Sequence, residues 1–158
     1  MHLGNLDGER LVTEAWLRRL TSTEGIRTNA MGATEQEILD AEAELGFRFP
    51  PSYRLWLQTL NDTNIGGSEI FSLAPEEFAD DADTDIRYRF RHGDADERRL
   101  VFYEPNEDES WAFDLRCPRD ATGEVSVMKV DHLGGRDAEP EPYAGSFAGF
   151  IERLLDER

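Results

Sequence analysis

Residues 33 to 61, ATEQEILDAEAELGFRFPPSYRLWLQTLN, carry their own start and stop signals, and these constrain the fold before anything else does. Thr34 and Glu37 make a T-x-x-E capping box, in which each side chain satisfies a free backbone N–H at a helix start. A helix is therefore expected to begin at Thr34. Ile38, Ala41 and Leu45 fall at i, i+3 and i+7 and form one buried stripe, while Glu35, Glu42 and Glu44 stay in water. Gly46 supplies the left-handed conformation that ends a helix, and Pro50 and Pro51 cannot extend its hydrogen-bond ladder. Pro51 suits the first turn of a second helix, in which Tyr53, Trp56, Leu57 and Leu60 recur at i, i+3, i+4 and i+7. The polar tips of Tyr53 and Trp56 fit a half-buried groove, with a core position as the plainer alternative.

Around this unit the periodicity changes. Leu6, Val12, Trp16 and Leu20 predict an N-terminal amphipathic helix, followed by a polar connector to Met31. Residues 1–32 are thus set apart as helix and connector, and 33–158 as the main domain. Glu69 to Leu73 reads as a strand and Pro75 to Phe78 as a helical turn. Residues 79 to 98 support two readings. Ile86, Tyr88 and Phe90 alternate with Arg87, Arg89 and Arg91 as in an edge strand, yet the flanking acidic runs look like loop.

Arg99 to Tyr103 and Trp111 to Leu115 are rich in aromatic and apolar residues, and PNEDES between them supplies a turn, so the two are expected to pair as a hairpin. Thr122-Gly123 marks another turn before a strand from Glu124 to Val130, and LGGRDAEPEP is expected to be a surface loop. Phe147, Phe150, Ile151, Leu154 and Leu155 close the chain at helical spacing behind Ser146 as N-cap. The layout is a single-domain α+β fold, a mostly antiparallel central sheet flanked by N-terminal helices and a C-terminal helix.

A chain of 158 residues can bury about two-thirds of its unfolded surface, enough for a packed core. Cys117 is the only cysteine, so an internal disulfide is ruled out, as befits a reducing cytosol. The N-terminus lacks a signal-peptide pattern and no apolar run reaches the length of a membrane span, so a cytoplasmic location is expected. A net charge of −17 opposes direct binding to nucleic acid and favours a basic protein partner. Lys129 is the sole lysine among 17 basic residues, a bias that a GC-rich or salt-adapted proteome produces without any partner.

Candidate chemistry is thin. Asp81, Asp83 and Asp85 open a D-x-D-x-D run, but Ile86 stands where a calcium loop needs Gly and His92 where it needs Glu. His92, Asp94 and Asp96, like Asp131 and His132, read as solvated polar segments rather than metal ligands or a general base. Cys117 has no histidine implied beside it, and neither glycine pair has P-loop or dinucleotide spacing. No enzyme activity and no cofactor are expected.

Glu37-Ile38, Glu42, Leu45-Gly46, Phe49-Pro50, Tyr53, Trp56-Leu57 and Asn61 together resemble the opening signature of the SUKH superfamily, the Smi/Knr cell-wall-assembly-regulator type of domain found in bacterial immunity proteins. Ile70-Phe71-Ser72-Leu73, Trp111 to Leu115, and Ser146 to Ile151 continue the pattern in order. The usual Asn-Gly after the second helix is replaced by Asn61-Asp62. The resemblance implies a non-enzymatic binding domain, commonly one that neutralises a cognate toxin, often a nuclease.

Between Glu76 and Glu109 thirteen carboxylates face five arginines. On the plain reading this is a solvated edge. On the functional reading the acidic residues Asp80, Asp81, Asp83, Asp85, Glu104, Glu107, Asp108 and Glu109 steer a basic partner toward the aromatic anchors Tyr88, Phe90 and Tyr103, with the Tyr53 and Trp56 edge alongside. Two other classes stay open: a regulatory or scaffolding module for a cellular protein, and a metal-dependent enzyme whose site assembles only in three dimensions.

Overall fold

A computed structural model describes residues 26–28, 32–61, 63–65, 68–74, 85–92, 98–131 and 140–157. The predicted N-terminal helix and the turn from Pro75 to Phe78 lie outside them. Helix α1 (Glu35–Leu45) starts as its sequence dictates. The Glu37 amide donates to Thr34 Oγ1 at 3.1 Å and the Thr34 amide to Glu37 Oε1 at 2.9 Å, closing the box. Gly46 ends the helix at φ 66°, with its amide on the Glu42 carbonyl. Glu42 also holds the elbow: its Oε2 accepts from the Phe49 amide at 2.7 Å and lies 3.3 Å from Arg54 Nε.

Helix α2 (Pro51–Thr59) follows. Its buried side includes Tyr53, Trp56 and Leu57, all fully enclosed. The half-buried groove expected at Tyr53 and Trp56 is therefore corrected to core. The two rings stack at 5.6 Å, and the Tyr53 hydroxyl reaches the Phe71 carbonyl at 2.6 Å, so its polar tip has an acceptor without water. Asn61, at φ 52°, makes the turn after α2 and locks it in place, accepting from the Leu73 amide and donating to the Leu73 carbonyl.

Among the described residues seven antiparallel strands form one sheet in chain order: β1 (Ile26–Thr28), β2 (Thr63–Ile65), β3 (Ser68–Ile70), β4 (Arg99–Tyr103), β5 (Glu109–Asp114), β6 (Val127–Asp131) and β7 (Glu141–Ala144). The β4–β5 hairpin is the predicted one, with Leu100 opposite Phe113 and Val101 opposite Ala112. Ser110, Trp111, Ala112 and Phe113 are all buried, so β5 is a central strand covered on both faces. Strand β7 takes in Glu141 and Pro142, which the sequence assigned to a surface loop; an edge position tolerates the proline.

The chain closes with α4 (Phe147–Asp156), capped by Ser146, whose Oγ accepts from the Gly149 amide at 3.0 Å. Phe147 meets α2, its ring centroid 5.0 Å from Tyr53, and Phe150 meets the sheet, its centroid 4.9 Å from Phe102. Aromatic edge-to-face contacts of this kind add to the burial term and fix how α2 and α4 seat on the strands.

Residues 86–92 are neither edge strand nor loop but helix α3 (Ile86–His92). Ile86 and Phe90 are spaced two by two in sequence and equally i and i+4 on a helix. Asp85 decides between the periods. Its Oδ1 accepts from the Arg87 amide at 2.8 Å and its carbonyl from the Arg89 amide at 3.0 Å, so it caps the helix start. Ile86 is then fully buried and Phe90 packs against the core.

Candidate protein-docking site

Strand β3 meets β4 at Ile70 and Tyr103, and helix α3 packs beside β4. Between α3 and the β4–β5 hairpin lies an open groove of about 380 Å³, lined by Arg89, Phe90, Arg99, Val101, Glu104, Glu107 and Ser110. Phe90 and Val101 give it apolar surface. The remaining residues give it charge of both signs, with Arg89 Nη2 hydrogen-bonded to Glu104 Oε2 across the groove.

The hairpin tip carries Glu107 and Asp108, both exposed. Asn106 shapes it, its Oδ1 accepting from the amides of Asp108 at 2.8 Å and Glu109 at 2.9 Å. Glu109 begins β5 and pairs with Lys129 at 2.6 Å. The Lys129 ammonium gains from that bond and keeps its proton above the ordinary range. Tyr88 and Phe90 are half-buried on α3, and Arg91 beside them pairs with Glu44 of α1 at 2.7 Å.

Of the residues singled out from the sequence, Phe90, Glu104 and Glu107 share this groove, and Tyr88, Asp108 and Glu109 sit on the same two elements. Asp80, Asp81 and Asp83 lie outside the described residues. Asp85 leaves the set together with Tyr53 and Trp56, because it is wholly buried. Both of its oxygens are taken, one by the amide and Nε of Arg87, the other by Arg87 Nη2 at 2.8 Å and the Ala74 amide at 2.7 Å. Arg89, Arg99, Val101 and Ser110 went unnoticed as lining residues. The alternation that read as an edge strand pointed Arg89 away from its neighbours in sequence, and only the helix brings it to Glu104.

Cys117 is exposed and its Sγ lies 3.2 Å from Asp114 Oδ2. That hydrogen bond, with the Asp114 charge, pushes the thiol up, opposite to what a nucleophile needs. Among the described residues no group of three or more His, Cys, Asp or Glu is placed to hold a metal ion. The side chain of His92, together with Asp94, Asp96 and His132, falls outside them. No helix among the described residues is long and apolar enough to cross a membrane.

No curated protein matches the chain. The SMI1/KNR4 family (SUKH-1) pattern matches residues 32–153, a span that takes in α1, the elbow, α2, the groove and most of α4. This chain belongs to the SMI1/KNR4 family.

Proposed function

We propose that this chain is a non-enzymatic protein-binding domain that acts as an immunity protein, neutralising a basic toxin of nuclease type by occluding its substrate surface. The family is consistent with an immunity or protein-binding domain. The observation that carries the reading is the groove, where the half-exposed ring of Phe90 stands beside Glu104 and Glu107. An aromatic anchor in a concave site with carboxylates at its margin suits a cationic protein surface: the ring fills a pocket, and the charges raise the encounter rate. A nuclease must present cationic groups to phosphate, so a rigid acidic domain competes for the same face.

The test uses a purified basic nuclease domain taken as the candidate toxin. Phe90→Ala should weaken its binding about tenfold or more while the far-UV spectrum stays native, and Gln36→Ala, on the exposed side of α1, should leave affinity unchanged. A folded Phe90→Ala protein that binds as tightly as wild type contradicts the reading.

The pairing of Glu104 with Arg89 and of Glu109 with Lys129 favours one other reading, since it leaves the groove less acidic than the sequence alone implies. In that case the chain is a regulatory or scaffolding module for a cellular protein whose surface is not strongly basic. Association with the same nuclease domain that is absent, or indifferent to salt, selects it.

A further inference from the structure

Phe90 also lines a second groove, of about 480 Å³. The end of α1, the base of the β4–β5 hairpin and the segment after β5 converge there, and Leu45, Phe47, Leu100 and Leu115 give it apolar walls. That volume falls within the usual range for small-ligand clefts.

Arg119 is the distinctive residue of this groove. Its guanidinium lies over the Phe47 ring at 5.1 Å, Nη1 donates to the Gly123 carbonyl at 3.1 Å, and Nη2 donates to the Arg48 carbonyl. Two neutral acceptors and an aromatic face thus hold the side chain in one place. In a chain with 34 carboxylates, no ion pair to Arg119 forms among the described residues, whereas Arg54, Arg87, Arg89, Arg91, Arg116 and Arg153 each have one. A guanidinium has five N–H donors, so some of those on Arg119 remain for a ligand.

Asp114 also lines the groove, but its charge is already engaged. Its Oδ1 accepts from the Arg116 amide at 3.0 Å, and Cys117 Sγ lies 3.2 Å from Oδ2. Burial pushes the Asp114 carboxyl up, yet these donors outweigh it and hold the group below its ordinary value. Glu42 and Glu124 act on the Arg119 guanidinium at longer range, but among the described residues neither comes within ion-pair distance of it.

We propose that this groove is a binding site for a small apolar carboxylate, with the alkyl or aryl body between Phe47, Phe90 and Leu115 and the carboxylate on the free N–H edge of Arg119. Burying the body drives binding and the charge-assisted hydrogen bonds choose the headgroup. The site shares Phe90 with the α3–hairpin groove, but its other walls and its cation are its own, and it stands whether or not a toxin is the partner.

Titrating the ¹⁵N-labelled full chain with hexanoate, hexanol and hexylammonium in turn tests this. Hexanoate should shift the amides of Phe47, Leu115 and Arg119 saturably, with hexanol at least about fivefold weaker and hexylammonium weaker still, as one charge-assisted hydrogen bond requires. Arg119→Gln should bring hexanoate down to the hexanol level without altering hexanol binding. Equal binding of hexanol and hexanoate, or no saturable shift with any of the three, overturns the proposal. So does hexanoate affinity that survives Arg119→Gln. The hexanoate to hexanol ratio is measured on wild type, so it decides the matter even if the variant does not fold.

Discussion

Ser52 and Glu124, 72 residues apart, are joined twice: the Ser52 amide donates to Glu124 Oε2 at 3.0 Å and the Ser52 hydroxyl to Oε1 at 2.8 Å. The same hydroxyl oxygen accepts from the Ala148 amide at 3.1 Å. Helix α2 has Pro50 at its N-cap, which brings no side-chain acceptor, so a carboxylate from the segment before β6 does the capping. One serine thereby ties the starts of α2 and α4 to the sheet. Glu124→Ala should lower stability by about 2 kcal/mol, since it leaves part-buried donors without an acceptor, and Glu124→Gln by less. Urea denaturation measures both, and an unchanged midpoint for the alanine variant contradicts the capping role.

The same carboxylate gives a pH signature. Burial pushes Glu124 above its ordinary 4.5, with Asp120 adding to the rise and the Ser52 donors and Arg119 opposing it. The native state then holds the proton more tightly than the unfolded chain. Ionisation of this group works against folding, and its contribution improves as the pH falls through the raised value toward 4.5. Groups common to both proteins cancel in the difference, so wild type should gain stability relative to Glu124→Gln between about pH 7 and pH 4.5. A relative stability that stays flat or declines over that interval is the opposing result.

Asp85 and Arg87 form a buried ion pair at 2.8 Å, with the Ala74 amide as a third partner. Hydrogen bonding to Asp85 raises the Arg87 guanidinium above its ordinary range, against the opposing effect of burial. Removing Asp85 leaves the buried guanidinium with only the more distant Glu44 carboxylate at 3.9 Å, so Asp85→Ala should cost about 3 kcal/mol in thermal or urea unfolding. Milder conditions that keep the variant folded should leave its partner affinity intact. A variant with native stability and weakened binding would return Asp85 to the docking surface.

Helix α1 offers a local test of what its sequence encodes. Thr34→Ala should cost about 1 kcal/mol through loss of the cap, and Gly46→Ala about 1 kcal/mol because φ is 66° there and a side chain disfavours it. A Cβ on Gly46 meets nothing within 4 Å, so the penalty is conformational rather than steric with neighbours. Additive losses in the double variant are expected, since the two sites stand at opposite ends of the helix.

The elements that were legible in the sequence are those whose signals are local. Thr34 with Glu37, Gly46, Pro51 and Ser146 act within a few residues of themselves, and α1, α2 and α4 sit where these residues put them. Helix α3 was hidden because Ile86 and Phe90 satisfy both periods, and because the Asp85 side chain that settles the choice looks in sequence like one more surface charge. Strands β1, β2 and β7 are three or four residues long, too short for a periodic pattern to build. The groove itself is long-range: Arg89 meets Glu104 across 15 positions and Ser110 reaches it from the next strand. The aromatic and acidic types were visible in the sequence, but which of them face solvent depends on packing that no local pattern records.

The most direct test of the central claim is the association rate between this chain and the purified basic nuclease domain, followed as sodium chloride rises from about 20 to 500 mM. Electrostatic capture at the α3–hairpin surface predicts a rate that falls steeply with salt. It also predicts that Glu107→Gln with Asp108→Gln lowers the low-salt rate while leaving dissociation nearly unchanged. A rate indifferent to both salt and these two carboxylates would contradict the account.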